Sequence, residues 1–167
     1  GHTPGNPDRA LLALDAVVAD TPYATFHRVH TATVEGVAYD VRNLVVLSRF
    51  PIVRHEQLRN GVIEPLQYRR ITAVPNEPAA MNVVWERPIL HVEIAHPTIG
   101  ALHVVNLHLK SRLATAVPGQ NLGRFAWATA AGWAEGYFLS SLKRVGQALE
   151  TRIAVDQIFD LEPTASI

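Results

Sequence analysis

The stretch VVNLHLKSR, from Val104 to Arg112, sets Asn106 and His108 on one face of a strand-like run and closes it with Lys110 and Arg112. A sheet interior favours apolar side chains, so a histidine there needs hydrogen-bond partners or a chemical task, such as moving a proton near neutral pH. Val104 shares the face of Asn106 and His108, while Val105, Leu107 and Leu109 share the other. Both faces are therefore apolar until the run ends, and the polar pair sits where the strand leaves the core. His108 is the candidate reactive group, and Asn106 reads as a structural hydrogen-bonder. Arg49 and the run Lys110, Ser111, Arg112 read most simply as solvated strand ends, with substrate contact as the alternative. Of the eight histidines, His91, His96 and His103 fall close together along the chain. They suggest either a metal cluster or cross-strand neighbours, and without carboxylates at metal-ligand spacing no zinc site is expected.

The elements that must position these residues follow from periodicity. ERPILHVEIAHPTIGALHVVNLHLKS holds two β-rich runs around the turn-like HPTIG, which predicts an antiparallel hairpin with strands near 87–95 and 101–109. Asn6, Pro7 and Asp8 start a predicted helix near 8–20, and Thr21-Pro22 ends it. YATFHRVHTATV and RNLVVLSRF read as strands separated by a turn at Glu35-Gly36, and PIVRHEQL as an edge strand. The prolines at 65, 75 and 78 make 60–81 irregular or edge structure. Positions 138, 142, 145, 149 and 153 keep helical spacing, predicting a helix from about 134 to 158. Trp127, Trp133 and Tyr137 either pack that helix on a sheet or roof a cleft, and packing is the expectation. No repeat and no internal linker stand out in the chain.

Composition bounds the function. With 167 residues, 48% hydrophobic and 18% charged, the chain is globular rather than disordered and of single-domain length. Lys+Arg and Asp+Glu are both 15, so a polybasic surface gripping nucleic acid through its backbone is not expected. The absence of cysteine removes disulfides, thiolate metal sites and a cysteine nucleophile, without fixing the compartment. No run suits a membrane span, and GHTPGNPD lacks the regions of a signal peptide, so a soluble and by preference cytoplasmic chain is expected.

Three segments, RNLVVLSRFPI (42–52), ERPILHVEI (86–94) and GALHVVNLHLKSR (100–112), followed by KRVGQALETR (143–152), resemble the middle of the endonuclease/exonuclease/phosphatase superfamily, the fold of pancreatic deoxyribonuclease. LSRFPI together with NLHLKS carries most of the specificity. The resemblance implies an α/β fold in which an antiparallel-rich sheet with packed helices forms part of a two-sheet sandwich. It implies a metal-dependent phosphoesterase, with His108 as the catalytic histidine facing the scissile phosphate. Arg87 matches an arginine near the phosphate, and Asn43 matches an asparagine that either reaches the cleft or satisfies backbone groups. Mg²⁺ or Mn²⁺ would be the cofactor, held by an N-terminal Asn, a Gln-Glu pair and a Gly-Asp-x-Asn motif, none of which occurs here. The expectation is thus an incomplete domain, 1–167, that holds no metal and is inactive alone. The substrate would be a phosphoester of a nucleic acid, phospholipid or inositol phosphate.

The competing reading is a non-catalytic binding module that keeps the scaffold and associates, as a homodimer for instance, through unpaired sheet edges.

Overall fold

The computed structural model describes residues 10–167. It is an α/β structure of antiparallel strand pairs and two α-helices, divided into two compact units. One unit holds the described residues up to Leu58 with Arg87–His108 and Val155–Ile167; the other holds Arg59–Glu86 and Leu109–Ala154.

In the first unit, helix α1 (Leu12–Val18) is shorter than the predicted 8–20, and its expected start at Asn6 to Asp8 lies outside the described residues. The 3-10 turn Pro22–Thr25 takes the front of the expected first strand: the Thr21 side chain accepts from the Tyr23 N–H, and Pro22 presets the turn. That leaves strand β1 (His27–His30), which pairs antiparallel with β2 (Val45–Ser48). The turn between them has Gly36 at φ +79°, as Glu35-Gly36 predicts. Strand β3 (Ile52–Leu58) is at the edge of a three-stranded sheet completed by residues 89–96 and then 100–106, as its sequence suggested.

The hairpin of β6 (Ile89–His96) and β7 (Gly100–Asn106) is the best-defined element, and Val92 opposite Val104 fixes its register. Its turn works because Gly100 takes φ +77°, the left-handed conformation that closes a three-residue loop, while His96 Nδ1 accepts from the Thr98 N–H at 3.2 Å. Alternation sends Leu90, Val92, Ile94, Leu102 and Val104 into one core with Val29 and Leu44. Burying aliphatic side chains of this size contributes about 1.5–3 kcal/mol each. The opposite face carries Glu56, His91, Glu93 and His103. At Leu102 the other edge of β7 meets Ser166 through a parallel bridge.

In the second unit, the region expected to be irregular contains a short antiparallel pair, β4 (Leu66–Tyr68) and β5 (Met81–Val83). Helix α2 runs over Ala130–Leu161, longer at both ends than predicted, and its residues up to Ala154 belong to this unit. Thr129 caps it by accepting the Gly132 N–H at 2.9 Å. Its apolar stripe is not its buried face: Phe138, Val145 and Leu149 are exposed, while Gly132, Glu135, Gly136, Ser140, Gln147 and Glu150 are buried. Glycine lets neighbours press onto the helix, and a Cβ at Gly146 would stand 2.2 Å from the Trp85 ring. Trp127 packs against Val83, Val117 and Leu139, as expected, whereas Trp133 and Tyr137 stack on each other at 5.7 Å and stay half exposed.

Candidate functional site

Register decides what surrounds His108. Because β6 and β7 are antiparallel, with Leu90 opposite Asn106, the start of β6 and the end of β7 lie at the same end of the sheet. His108 stands two residues past the end of β7, and Arg87 two residues before the start of β6. The Arg87 guanidinium donates to the His108 carbonyl at 3.1 Å, joining two of the residues singled out in the sequence. Asn106 donates through Nδ2 to the Val45 carbonyl at 3.2 Å, bringing the start of β2 to the same end. Its structural role is as expected.

Asn43, the third candidate, lies just before β2. Its side-chain oxygen accepts from the Tyr39 N–H and its nitrogen donates to the Tyr39 carbonyl, both at 2.8 Å, so both ends of its amide close the 39–43 loop. The residue beside it, Arg42, is exposed and holds φ +62°. A non-glycine residue in the left-handed region is uncommon, and here the Asn43–Tyr39 bonds hold the turn on either side of it. Nothing in the sequence distinguished Arg42, because its placement depends on the loop closing.

The His108 imidazole is held below the ordinary histidine pKa, first by partial desolvation and then by the positive charges of Arg87 and Arg42. The site therefore offers a neutral ring with two guanidiniums in its field. Neutral imidazole can accept a proton or donate one hydrogen bond, and guanidinium forks match the oxygens of phosphate or carboxylate. A cation does not fit this chemistry. Among the described residues no group of three His, Cys, Asp or Glu side chains is placed to hold a metal ion, and the surroundings of His108 are positive. These residues do not fit Mg²⁺ or Mn²⁺ binding.

Of the basic run that follows, Ser111 and Arg112 are exposed as expected, whereas Lys110 is turned to structure. Lys110 Nζ donates to the Leu113 carbonyl at 3.2 Å and lies 3.9 Å from Glu86, with little of its side chain exposed. Arg49 sits over the Phe50 ring, 4.7 Å from its centroid. His91 and His103 are ring neighbours as one reading had it, whereas His96 packs edge-on against Phe50.

The second unit buries two carboxylates that sequence reasoning passed over. Glu150 accepts the N–H groups of Asn60, Gly61 and Val62 at 3.2, 2.7 and 3.0 Å, and the Trp85 indole N–H. Glu135 accepts the N–H groups of Ile71 and Thr72 and the hydroxyls of Thr72 and Tyr68. Burial pushes the Glu135 carboxyl up, but the bonds from Thr72, Ile71 and Tyr68 outweigh it and hold the pKa below its ordinary value. Each carboxylate ties a loop to α2.

Among the described residues no helix is long and apolar enough to cross a membrane. Comparison of the chain with protein-family models, curated proteins and solved structures yields no match.

Proposed function

We propose that this chain carries the phosphate-facing part of a phosphoester hydrolase site of the endonuclease/exonuclease/phosphatase kind, on a deoxyribonuclease-like two-sheet scaffold. The observation that carries the reading is the convergence of Arg42, Arg87 and a neutral-leaning His108 at one end of the β6-β7 hairpin. Hydrolysis of a phosphoester needs charge neutralised on the phosphoryl oxygens and a group that handles the proton. Arg87 and Arg42 supply positive charge for the first. His108 serves the second, donating to a phosphoryl oxygen or assisting proton transfer. Asn43 is then a positioning residue that presents Arg42 through the Tyr39 loop. The metal ligands that such an activity uses would come from outside the described residues. Nucleic acids, phospholipids and inositol phosphates share the phosphoester group this site would meet.

The test is a titration with inorganic phosphate, followed by the NMR signals of the histidine rings and arginine side chains. Phosphate should shift the His108 ring and raise its pKa, and Arg87→Ala should weaken the effect by about tenfold, the usual scale for one charge-assisted contact. Hydrolysis of bis-p-nitrophenyl phosphate with Mg²⁺ or Mn²⁺ by the gene's full reading frame should be lost in His108→Ala. A His108 ring indifferent to phosphate, or full hydrolysis by His108→Ala, removes the proposal.

A further inference from the structure

On the face of the three-stranded sheet opposite the Val92 core, four ionisable side chains form a line. Glu56 on β3 bonds His91 Nδ1 at 2.9 Å, and His91 Nε2 faces His103 Nδ1 at 3.0 Å. Beyond them His103 Nε2 points at Glu162, just past the end of α2, at 3.6 Å. The two rings are nearly parallel, 19° apart, and both are buried. Among the described residues His103 Nε2 is the fully buried side-chain polar atom with no hydrogen-bond partner.

Counting protons along this line shows what is missing. An ionised Glu56 can only accept, so His91 carries its proton on Nδ1 and presents a lone pair at Nε2. His103 must then donate from Nδ1, which leaves its Nε2 bare. That bare nitrogen faces a carboxylate that also only accepts, at a distance beyond hydrogen bonding. A buried acceptor aimed at a half-exposed carboxylate is unfavourable, and a single added proton on His103 Nε2 turns the pair into a charge-assisted bond. The resulting imidazolium would lie between His91 Nε2 and the Glu162 carboxylate. Of the other charged groups on this face, Glu93 stands directly opposite His103 and favours it, while Arg54, cross-strand to Glu93 and 3.5 Å from Glu56, opposes it.

The main chain couples this proton to a movable part. The His103 N–H donates to the Ser166 carbonyl at 2.8 Å, and the Ala165 N–H returns to the Glu162 carbonyl at 2.9 Å. The first bond fastens Ser166 to the edge of β7 beside Leu102, and the second is a turn within the segment that carries Glu162 back toward the His103 ring. We infer that the Glu56–His91–His103–Glu162 line is a proton-operated clasp: protonation of His103 draws Glu162 in and fastens the segment on β7, and loss of that proton releases it. The sign follows from which state has the partner. The clasp is closed at low pH and loosens as pH rises, and it exposes the β7 edge at Leu102 when it opens.

Amide hydrogen exchange on the intact chain, corrected for the intrinsic pH dependence of exchange, reads this directly. Protection of the His103 amide should be about threefold greater at pH 5.5 than at pH 8, a factor in keeping with one half-exposed charge pair. Glu162→Gln, a surface change that leaves the sheet intact, should abolish the pH dependence while the Val92 and Val104 amides stay protected. In parallel, the ¹⁵N shift of His103 Nε2 should move from a bare to a protonated nitrogen across the same range. Protection independent of pH, an Nε2 that never protonates while the sheet is folded, or an unchanged pH dependence in Glu162→Gln each overturns the clasp.

Discussion

The buried carboxylates of the second unit and the histidines of the first, His103 buried and His108 exposed, differ in how completely they are bonded. Glu150 is fully buried and accepts from three backbone N–H groups and an indole. Glu135 is filled in the same manner. His108 has its carbonyl, not its ring, bonded by Arg87, and His103 has one ring nitrogen without a partner. A buried polar group whose bonds are all made is a structural tie, since it has nothing left to offer a ligand. One with capacity to spare is where a proton or an anion can act.

Breaking the fullest tie should have the largest effect. Glu150→Ala strands the N–H groups of the Asn60–Val62 loop and the Trp85 indole in the interior. A loss of about 3–5 kcal/mol is expected, as for removing one partner of a buried charged network, and urea unfolding measures it. A loss under about 1 kcal/mol would show that the loop is held by packing alone.

Glu135 sharpens the comparison through pH. Its folded-state pKa is depressed, so its contribution to stability is present above the unfolded-state value of about 4.3 and disappears as pH falls through the folded value. The wild-type chain should therefore lose stability on acidification below about pH 4.3 more steeply than Glu135→Gln does, by denaturant titrations at successive pH. Equal slopes would remove Glu135 as a linked group.

The smallest effect on stability belongs to the site. Arg42→Ala, an exposed substitution, should change stability by no more than about 0.5 kcal/mol, and Arg87→Ala, which removes a hydrogen bond at a half-buried position, by about 1 kcal/mol. They should nonetheless raise the His108 pKa toward that of a free histidine, because each removes a positive charge that disfavours the imidazolium. An NMR titration of the His108 ring tests this, and a ring pKa unmoved in both variants would leave desolvation as the whole cause.

Much of the first unit was legible in the chain. The hairpin was readable because period-two alternation flanks a turn with glycine at its end, and the edge strand 52–58 because its exposed face is polar. Asn106 and His108 were readable because polar residues at a strand end interrupt an apolar pattern, whereas Arg87 was singled out only by the resemblance. Arg42 was not, since only the Asn43–Tyr39 bonds give it its backbone angle. The pair β4-β5 was missed because strands of three residues among prolines carry too few alternations to register. The buried face of α2 was illegible for a different reason: periodicity assumes that apolar residues face inward, and here Leu139 is joined there by glycines, Ser140, Gln147 and two satisfied glutamates.

Local periodicity and turn chemistry, which each segment carries alone, set the α/β class, the hairpin and a long second helix, but not which face of the hairpin turns inward. Tertiary structure decided which polar groups are satisfied. Whether Glu150 is a tie, His103 a proton acceptor or Arg42 a neighbour of His108 depends on atoms brought in from dozens of residues away. Hydrogen bonding and charge act over a few ångströms in space, and no local pattern in the chain records that distance.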